Sequence, residues 1–187
     1  TDQSTNGTTL PGSANGLFIP NNYRVDPVPE LDNTSAGYPL LLISPEGPTD
    51  CCAAFDLGFR AIGRPSNMAG GEHLRDFLRS TLKQDVVLLA DYDKTKWLKD
   101  GTPFWPGWEG ALHVAHIILS VCNTLKVIKP PDRSKDLRQW FNDGGQPKPL
   151  MFDITNAQTV DREWLVFKTD EVAKWKQGLK KQKVGAA

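Results

Sequence analysis

Six acidic residues of this chain sit at one kind of place, just after an apolar run. Glu46 closes "LLLISPE", with Asp50 one helical turn further on. Asp91 and Asp93 close "DVVLLADYD", and Asp132 and Asp136 follow "TLKVIKPP". An unpaired carboxylate buried in a strand is costly, so acids at these exits belong to an edge that meets water. Carboxylates crowded together repel, and some must protonate unless a cation lies between them. Mg²⁺ suits such a group, because it prefers oxygen and typically takes only one or two carboxylates, leaving positions for water and phosphate. Asp91 and Asp93, alternate residues leaving a strand, face the same way. The alternative reading makes these acids solvated loop residues, and residue type alone leaves both open.

The elements that must carry the acids are legible in the punctuation. The run 40–44 is continuously apolar, as a strand covered on both faces is. Pro48 suits the first turn of a helix, with Thr49 or Asp50 at its polar start and Gly58 at its end. A short strand follows over 59–63. Leu74, Phe77, Leu78 and Leu82 give a one-faced helix opened by Gly70 and Gly71. Asp85–Ala90 is a third strand, 110–122 a second apolar-faced helix, and "TLKVI" a fourth strand stopped by prolines. Ser134 is an N-cap candidate for a helix through Trp140 that ends at Gly144 and Gly145.

Strand and helix in strict alternation predict an α/β fold, a Rossmann-like open parallel sheet of about four strands with helices on both faces. In such a sheet ligands bind at the carboxyl ends of the strands, where the acids converge. The expected division is a flexible lead-in and loop over 1–39, a central domain over 40–145, and a small C-terminal appendage over 146–187. Within the appendage, 146–149 reads as a linker, "MFDIT" and "EWLVF" as a strand pair, and 170–183 as a basic helix.

Composition narrows the classes. Lys plus Arg and Asp plus Glu both number 22, so there is no bulk charge to attract nucleic acid or lipid, and any such contact must be a local patch. No run approaches the ~18–20 apolar residues of a membrane span. Cys51, Cys52 and Cys122 have no CxxC or zinc spacing and read as reduced packing residues, the usage expected of a cytoplasmic protein. His73, His113 and His116 read as surface or packing histidines. There is no GxxxxGK[ST] phosphate loop.

The order of "EGPTD" after the first strand, "ADYD" after the third and "KDL" after the fourth resembles the TOPRIM domain. The resemblance covers about residues 40–145. Within that family the chain looks like the domains of phage, plasmid and bacterial DNA primases and primase–helicases, through "GLFIP", "FRAIGRPSN", "PGWEGA" and "SKDLRQWFNDGG". It implies Mg²⁺-dependent nucleotidyl transfer in primer synthesis, with Glu46 as acid/base and Asp91 and Asp93 on catalytic Mg²⁺, for which Mn²⁺ is a possible substitute. Asp50 and Asp136 would complete the metal-side acids. Arg138 stands where many relatives carry a further acid, which puts a second metal in question. The implied partners are single-stranded DNA, nucleoside triphosphates and a replicative helicase or helicase domain, in the cytoplasm at the nucleoid.

Two further features could hold nucleic acid. "DKTKWLKDGTPFWPGWEG" sets Lys94 and Lys96 among Trp97, Trp105 and Trp108, and aromatic faces that stack on bases beside lysines that track phosphates make a strand-binding surface. The same rings could equally form a lid over the sheet end. Arg64, in a loop leading to a helix N-terminus, is a candidate phosphate contact. The rival readings are a metal-dependent nuclease, a non-catalytic module that holds metal and nucleic acid, and a plain interaction domain with solvated acids.

Overall fold

The computed structural model describes residues 16–19, 41–81 and 83–185 of the chain. Of the expected lead-in over 1–39, residues 1–15 and 20–39 lie outside the described residues, as does Leu82 of the expected helical stripe. The first half runs β1 (Leu41–Ser44), α1 (Gly47–Asp56), β2 (Arg60–Ala61), α2 (Gly71–Ser80) and β3 (Asp85–Leu89). It continues as β4 (Lys96–Trp97), β5 (Pro103–Phe104), α3 (Pro106–Ile118) and β6 (Thr124–Ile128). The chain closes with α4 (Leu137–Asn142), α5 (Pro147–Asn156) and α6 (Arg162–Gly185).

The α/β expectation is borne out. β2, β1, β3 and β6 lie side by side in that order in a four-stranded sheet, every neighbouring pair parallel. Alternation along each strand divides the core into two layers. Leu42, Ile62, Val86, Leu88, Leu125 and Val127 pack with α2, α3 and the start of α6. Ile43, Ala61, Val87, Leu89 and Ile128 pack with α1, α4 and α5. This is why the strands read as unbroken apolar runs. Both sheet edges are engaged: Phe18 exchanges hydrogen bonds with Gly63 beside β2, and the Val160 N–H donates to the Leu125 carbonyl on β6. Pairing of this kind blunts an open edge.

The C-terminal expectations are corrected. The linker over 146–149 is instead the start of α5, with Pro147 in the first turn, where its missing N–H costs nothing. "MFDIT" completes that helix and "EWLVF" opens the 24-residue α6, which begins well before Asp170. Five-residue apolar runs fit either period, and burial decided: Leu150 and Ile154, four apart, enter one core layer, and Val160, Trp164 and Leu165 the other. The helix expected from Ser134 starts at Leu137, because Asp136 takes the N-cap and accepts from the Gln139 N–H at 2.8 Å. α3 starts a turn earlier than expected, at Pro106. β4 and β5, a small antiparallel pair, were not expected at all. No described helix is long and apolar enough to cross a membrane.

Leu150 is fully buried although it lies outside the expected central domain. Leu150→Ala should therefore cost about 2–4 kcal/mol of stability, read as a lower urea midpoint in one cooperative transition. Loss of α5 signal in a separate early transition would show that the segment folds apart from the sheet.

Candidate functional site

Strand order sets the site. From β1 the chain passes to β2 on one side and then to β3 on the other, so the order reverses between β1 and β3. Crevices form at such reversals, outside the carboxyl ends of the strands. Glu46 leaves β1 there, and Asp91 leaves β3.

Glu46 is held by its backbone. The β1–β2 ladder continues past the strands as a Glu46–Arg64 bridge, with the Arg64 N–H on the Pro45 carbonyl at 2.9 Å and the Gly47 N–H on the Arg64 carbonyl at 2.7 Å. Gly47 then turns the chain into α1 at φ +75°, a left-handed conformation that glycine adopts without strain. Glu46 is the N-cap of α1, yet its side chain makes no cap hydrogen bond, so the carboxylate stays available to the rim. Asp91 is fixed from the other side by α3. A Cβ on Gly107 would stand 2.2 Å from the Asp91 carbonyl oxygen, so only glycine lets the helix approach this closely.

The Glu46 and Asp91 carboxyls lie within hydrogen-bonding reach of each other. Burial first, then the negative charges of Glu46, Asp50 and Asp93, push the Asp91 carboxyl from 3.8 up to about 8. Asp93 is half-buried two residues on. Of the sequence-predicted trio, Glu46 and Asp91 come together, and Asp93 acts on Asp91 through its charge.

Asp50 and Asp136 form a second group. Asp50 is 7% exposed and accepts the Arg138 N–H at 2.8 Å. Burial raises its pKa, the Arg138 bond opposes the rise, and the Asp136 charge adds to it. Asp136, besides capping α4, pairs with the Arg138 guanidinium at 3.3 Å and with Lys135 at 3.5 Å. Arg138 also donates to the Thr49 hydroxyl at 3.2 Å. The second group thus has basic partners of its own at Asp136, while the Asp50 pKa stays raised. Asp132 accepts from the Trp140 indole at 3.1 Å and does not join either group.

Arg64 corrects the sequence reading. It is 1% exposed, not a surface phosphate contact. Its guanidinium donates to the carbonyls of Asn67 at 2.9 Å, Ser66 at 3.3 Å and Leu89 at 3.3 Å. Burial lowers its pKa to about 10 while the Glu46 and Asp91 charges oppose the drop, so it remains a cation beneath the acid pair at neutral pH.

Lys94, Lys96 and Trp97 are exposed on the segment after Asp93. Trp105 and Trp108 are half-buried instead, tilted against each other at 6.3 Å between ring centres. Trp105 meets Trp175 of α6 at 5.9 Å, and Trp108 meets Trp164 at 6.3 Å. The two rings therefore serve the α3–α6 contact. Sequence reasoning missed the internal cation roles of Arg64 and Arg138, and missed Lys129. A basic residue directly after the fourth strand, on the same rim as the acids, was the available signal for Lys129.

Among the described residues no three His, Cys, Asp or Glu side chains close into a ready-made metal cage. The donors still suit Mg²⁺, which takes few carboxylates and keeps water. Glu46, Asp91 and Asp93 are hard oxygen donors whose mutual repulsion a cation would relieve.

No protein-family model matches the chain, and a search of curated proteins finds no match. Among solved structures the chain is similar to a DNA primase domain from Pseudomonas aeruginosa, at 16% identity and TM-score 0.47, over 64% of this chain and 34% of that one. It is similar to the DnaG catalytic core at 15% identity and TM-score 0.47, over 73% of this chain and 40% of that one. It is also similar to the DnaG primase catalytic domain bound to ssDNA, at 18% identity and TM-score 0.48, over 73% and 39%. The chain thus spans between 34% and 40% of those structures' length.

Two outcomes are expected. With its pKa raised from 3.8 to about 8, folded Asp91 keeps a proton that the unfolded chain releases near pH 4. Stability without divalent cations should fall as pH rises between those values. Asp91→Asn should flatten that slope and raise the melting temperature in EDTA at pH 8. Gly107→Ala should cost about 1–3 kcal/mol through overpacking against Asp91, measured by urea unfolding.

Proposed function

We propose that this chain carries a Mg²⁺-dependent nucleotidyl-transfer site of the TOPRIM kind, acting on nucleic acid in primer synthesis. The observation that carries the reading is the meeting of Glu46 and Asp91 at the β1–β3 reversal, with Asp93 beside them. The order of "EGPTD", "ADYD" and "KDL" supports it from the sequence side. Single-stranded DNA and nucleoside triphosphates are the proposed substrates. A replicative helicase is the proposed partner, in the cytoplasm.

Each group then has a task. Mg²⁺, or Mn²⁺ in its place, held by Glu46, Asp91 and Asp93, would neutralise the acids and stabilise charge on a phosphoryl group undergoing in-line displacement. Glu46 moves the proton: uncommitted to the helix cap, it can accept one from a 3′-hydroxyl as that oxygen bonds to the α-phosphorus of a nucleoside triphosphate and pyrophosphate leaves, and then release it to water. Arg64 keeps the two carboxylates close by supplying positive charge from below. Exposed Lys94, Lys96 and Trp97 are the proposed contacts for a strand, by charge and by stacking.

A second reading is a non-catalytic module that holds metal and nucleic acid. Arg138 favours it, because its backbone and guanidinium occupy the Asp50–Asp136 group that a second metal would need. A nuclease remains the catalytic rival.

The deciding assay supplies labelled nucleotides, single-stranded DNA and Mg²⁺ or Mn²⁺. New short oligonucleotides are expected, falling about 100-fold or more in Glu46→Gln and Asp91→Asn. Shortened DNA would instead make the protein a nuclease. Metal binding without turnover would favour the module, and full activity in Glu46→Gln would remove its proton role.

A further inference from the structure

Lys129 leaves β6 at the same rim as Asp91, toward the opposite face. Leu89 pairs with Ile128, and the Ala90 N–H donates to the Ile128 carbonyl at 2.9 Å, which brings Lys129 beside Ala90. Leu89 and Ile128 belong to the α1 layer and Ala90 to the α3 layer. Alternation therefore sends Lys129 toward α3. Its ammonium lies 3.9 Å from the centre of the Trp105 ring and 5.0 Å from those of Tyr92 and Trp108. Tyr92 links the two faces of the rim, since its neighbours Asp91 and Asp93 serve the acid group while its ring touches Lys129.

The other half-buried lysines end on oxygen. Lys126 donates to the Ile154 carbonyl at 2.7 Å and the Thr155 carbonyl at 3.1 Å, Lys168 pairs with Glu171 at 2.7 Å, and Lys176 pairs with Glu109. Among the described residues Lys129 has rings for neighbours and no oxygen partner. Ring faces attract a cation, but an ammonium brings three N–H donors that they do not saturate. Trp105 Nε1, in the same cage, is buried without a hydrogen-bond partner among the described residues. Burial also lowers the Lys129 pKa, as expected of a cation short of counter-charge. A half-buried cation with unspent donors is completed by an anion rich in oxygen.

We propose that Lys129, held by Tyr92, Trp105 and Trp108, is a phosphate-binding site on the rim. Its ligand is a phosphate of a nucleotide's polyphosphate chain or of a strand backbone. The biological ligand rests on the nucleotidyl-transfer reading, whereas the site itself rests on the cage.

Because the ammonium lies on Trp105, tryptophan emission reports on the cage. The whole chain is titrated in EDTA with sodium tripolyphosphate and, separately, with oligothymidylate. A saturable change is expected with at least one probe, and which one responds assigns nucleotide or strand as the source. Lys129→Met, which keeps an apolar stem in the cage, should weaken binding about tenfold or more, ~1.4 kcal/mol for each factor of ten. Lys129→Arg should retain it. Lys129→Gln replaces the Met variant if that one fails to fold by circular dichroism. No response to either probe, or wild-type affinity in the Met or Gln variant, overturns the proposal. Mn²⁺ binding, read by electron paramagnetic resonance, separates the two readings. A Lys129-dependent response without Mn²⁺ binding supports the cage and sinks only the metal centre. Mn²⁺ binding with no response to either probe sinks only the cage.

Discussion

The Arg64 guanidinium, sealed beneath two strand-exit carboxylates, is the constraint on which the rim depends. Burying a charge is expensive unless it is paired and hydrogen-bonded. Arg64 answers with three carbonyl partners and with the negative charge of Glu46 and Asp91 above it. Those carbonyls tie the loop over 65–70 to the end of β3. The loop then meets α3 so closely that a Cβ on Gly110 would stand 2.5 Å from the Asn67 carbonyl oxygen. α3 in turn presses on Asp91 at Gly107. One buried cation thus fixes, through backbone contacts, the position of an acid two strands away in the sheet.

The rim handles its excess of negative charge in two ways. Around Asp50 and Asp136 the chain supplies its own cation, Arg138, and helical N–H groups take the remaining lone pairs. Around Glu46 and Asp91 the buried cation interacting with the pair is Arg64, and burial first, then the charges of Glu46, Asp50 and Asp93, still raise the Asp91 pKa. The residual repulsion is a store of binding energy for an external cation. The two acid groups differ in how their cation is placed: Arg138 pairs directly with Asp136, whereas Arg64 spends its hydrogen bonds on carbonyls.

The C-terminal helix is a working part of this rim. Its first turn is capped by Asp161, which accepts the Trp164 N–H at 2.7 Å, and Trp164 and Leu165 enter the core. Further along, Trp175 packs on Trp105 and Lys176 reaches Glu109, whose other oxygen accepts the Trp105 N–H at 2.8 Å. The cage around Lys129 is thereby braced from α6. An aromatic-rich loop that would otherwise cover the sheet end loosely is held in one arrangement.

Local pattern determined much of this protein. Continuous apolar runs marked the strands because both faces of the sheet are covered, and acids at their exits marked the rim because a charge must leave the core where the strand does. Pro48 announced a strand-to-helix junction through its fixed φ, and the structure shows Gly47 making the turn at φ +75°. Short segments without a distinctive period escaped: "MFDIT" and "EWLVF" took helical form when long-range burial chose the face. Tertiary structure alone decided which acids meet, because that depends on β1 lying next to β3. It also decided what each cation does. Arg64, Lys129 and Arg138 are alike in sequence as basic residues near glycines, prolines and acids, but their charges are spent on carbonyls, rings and carboxylates respectively, and burial by distant segments sets that difference.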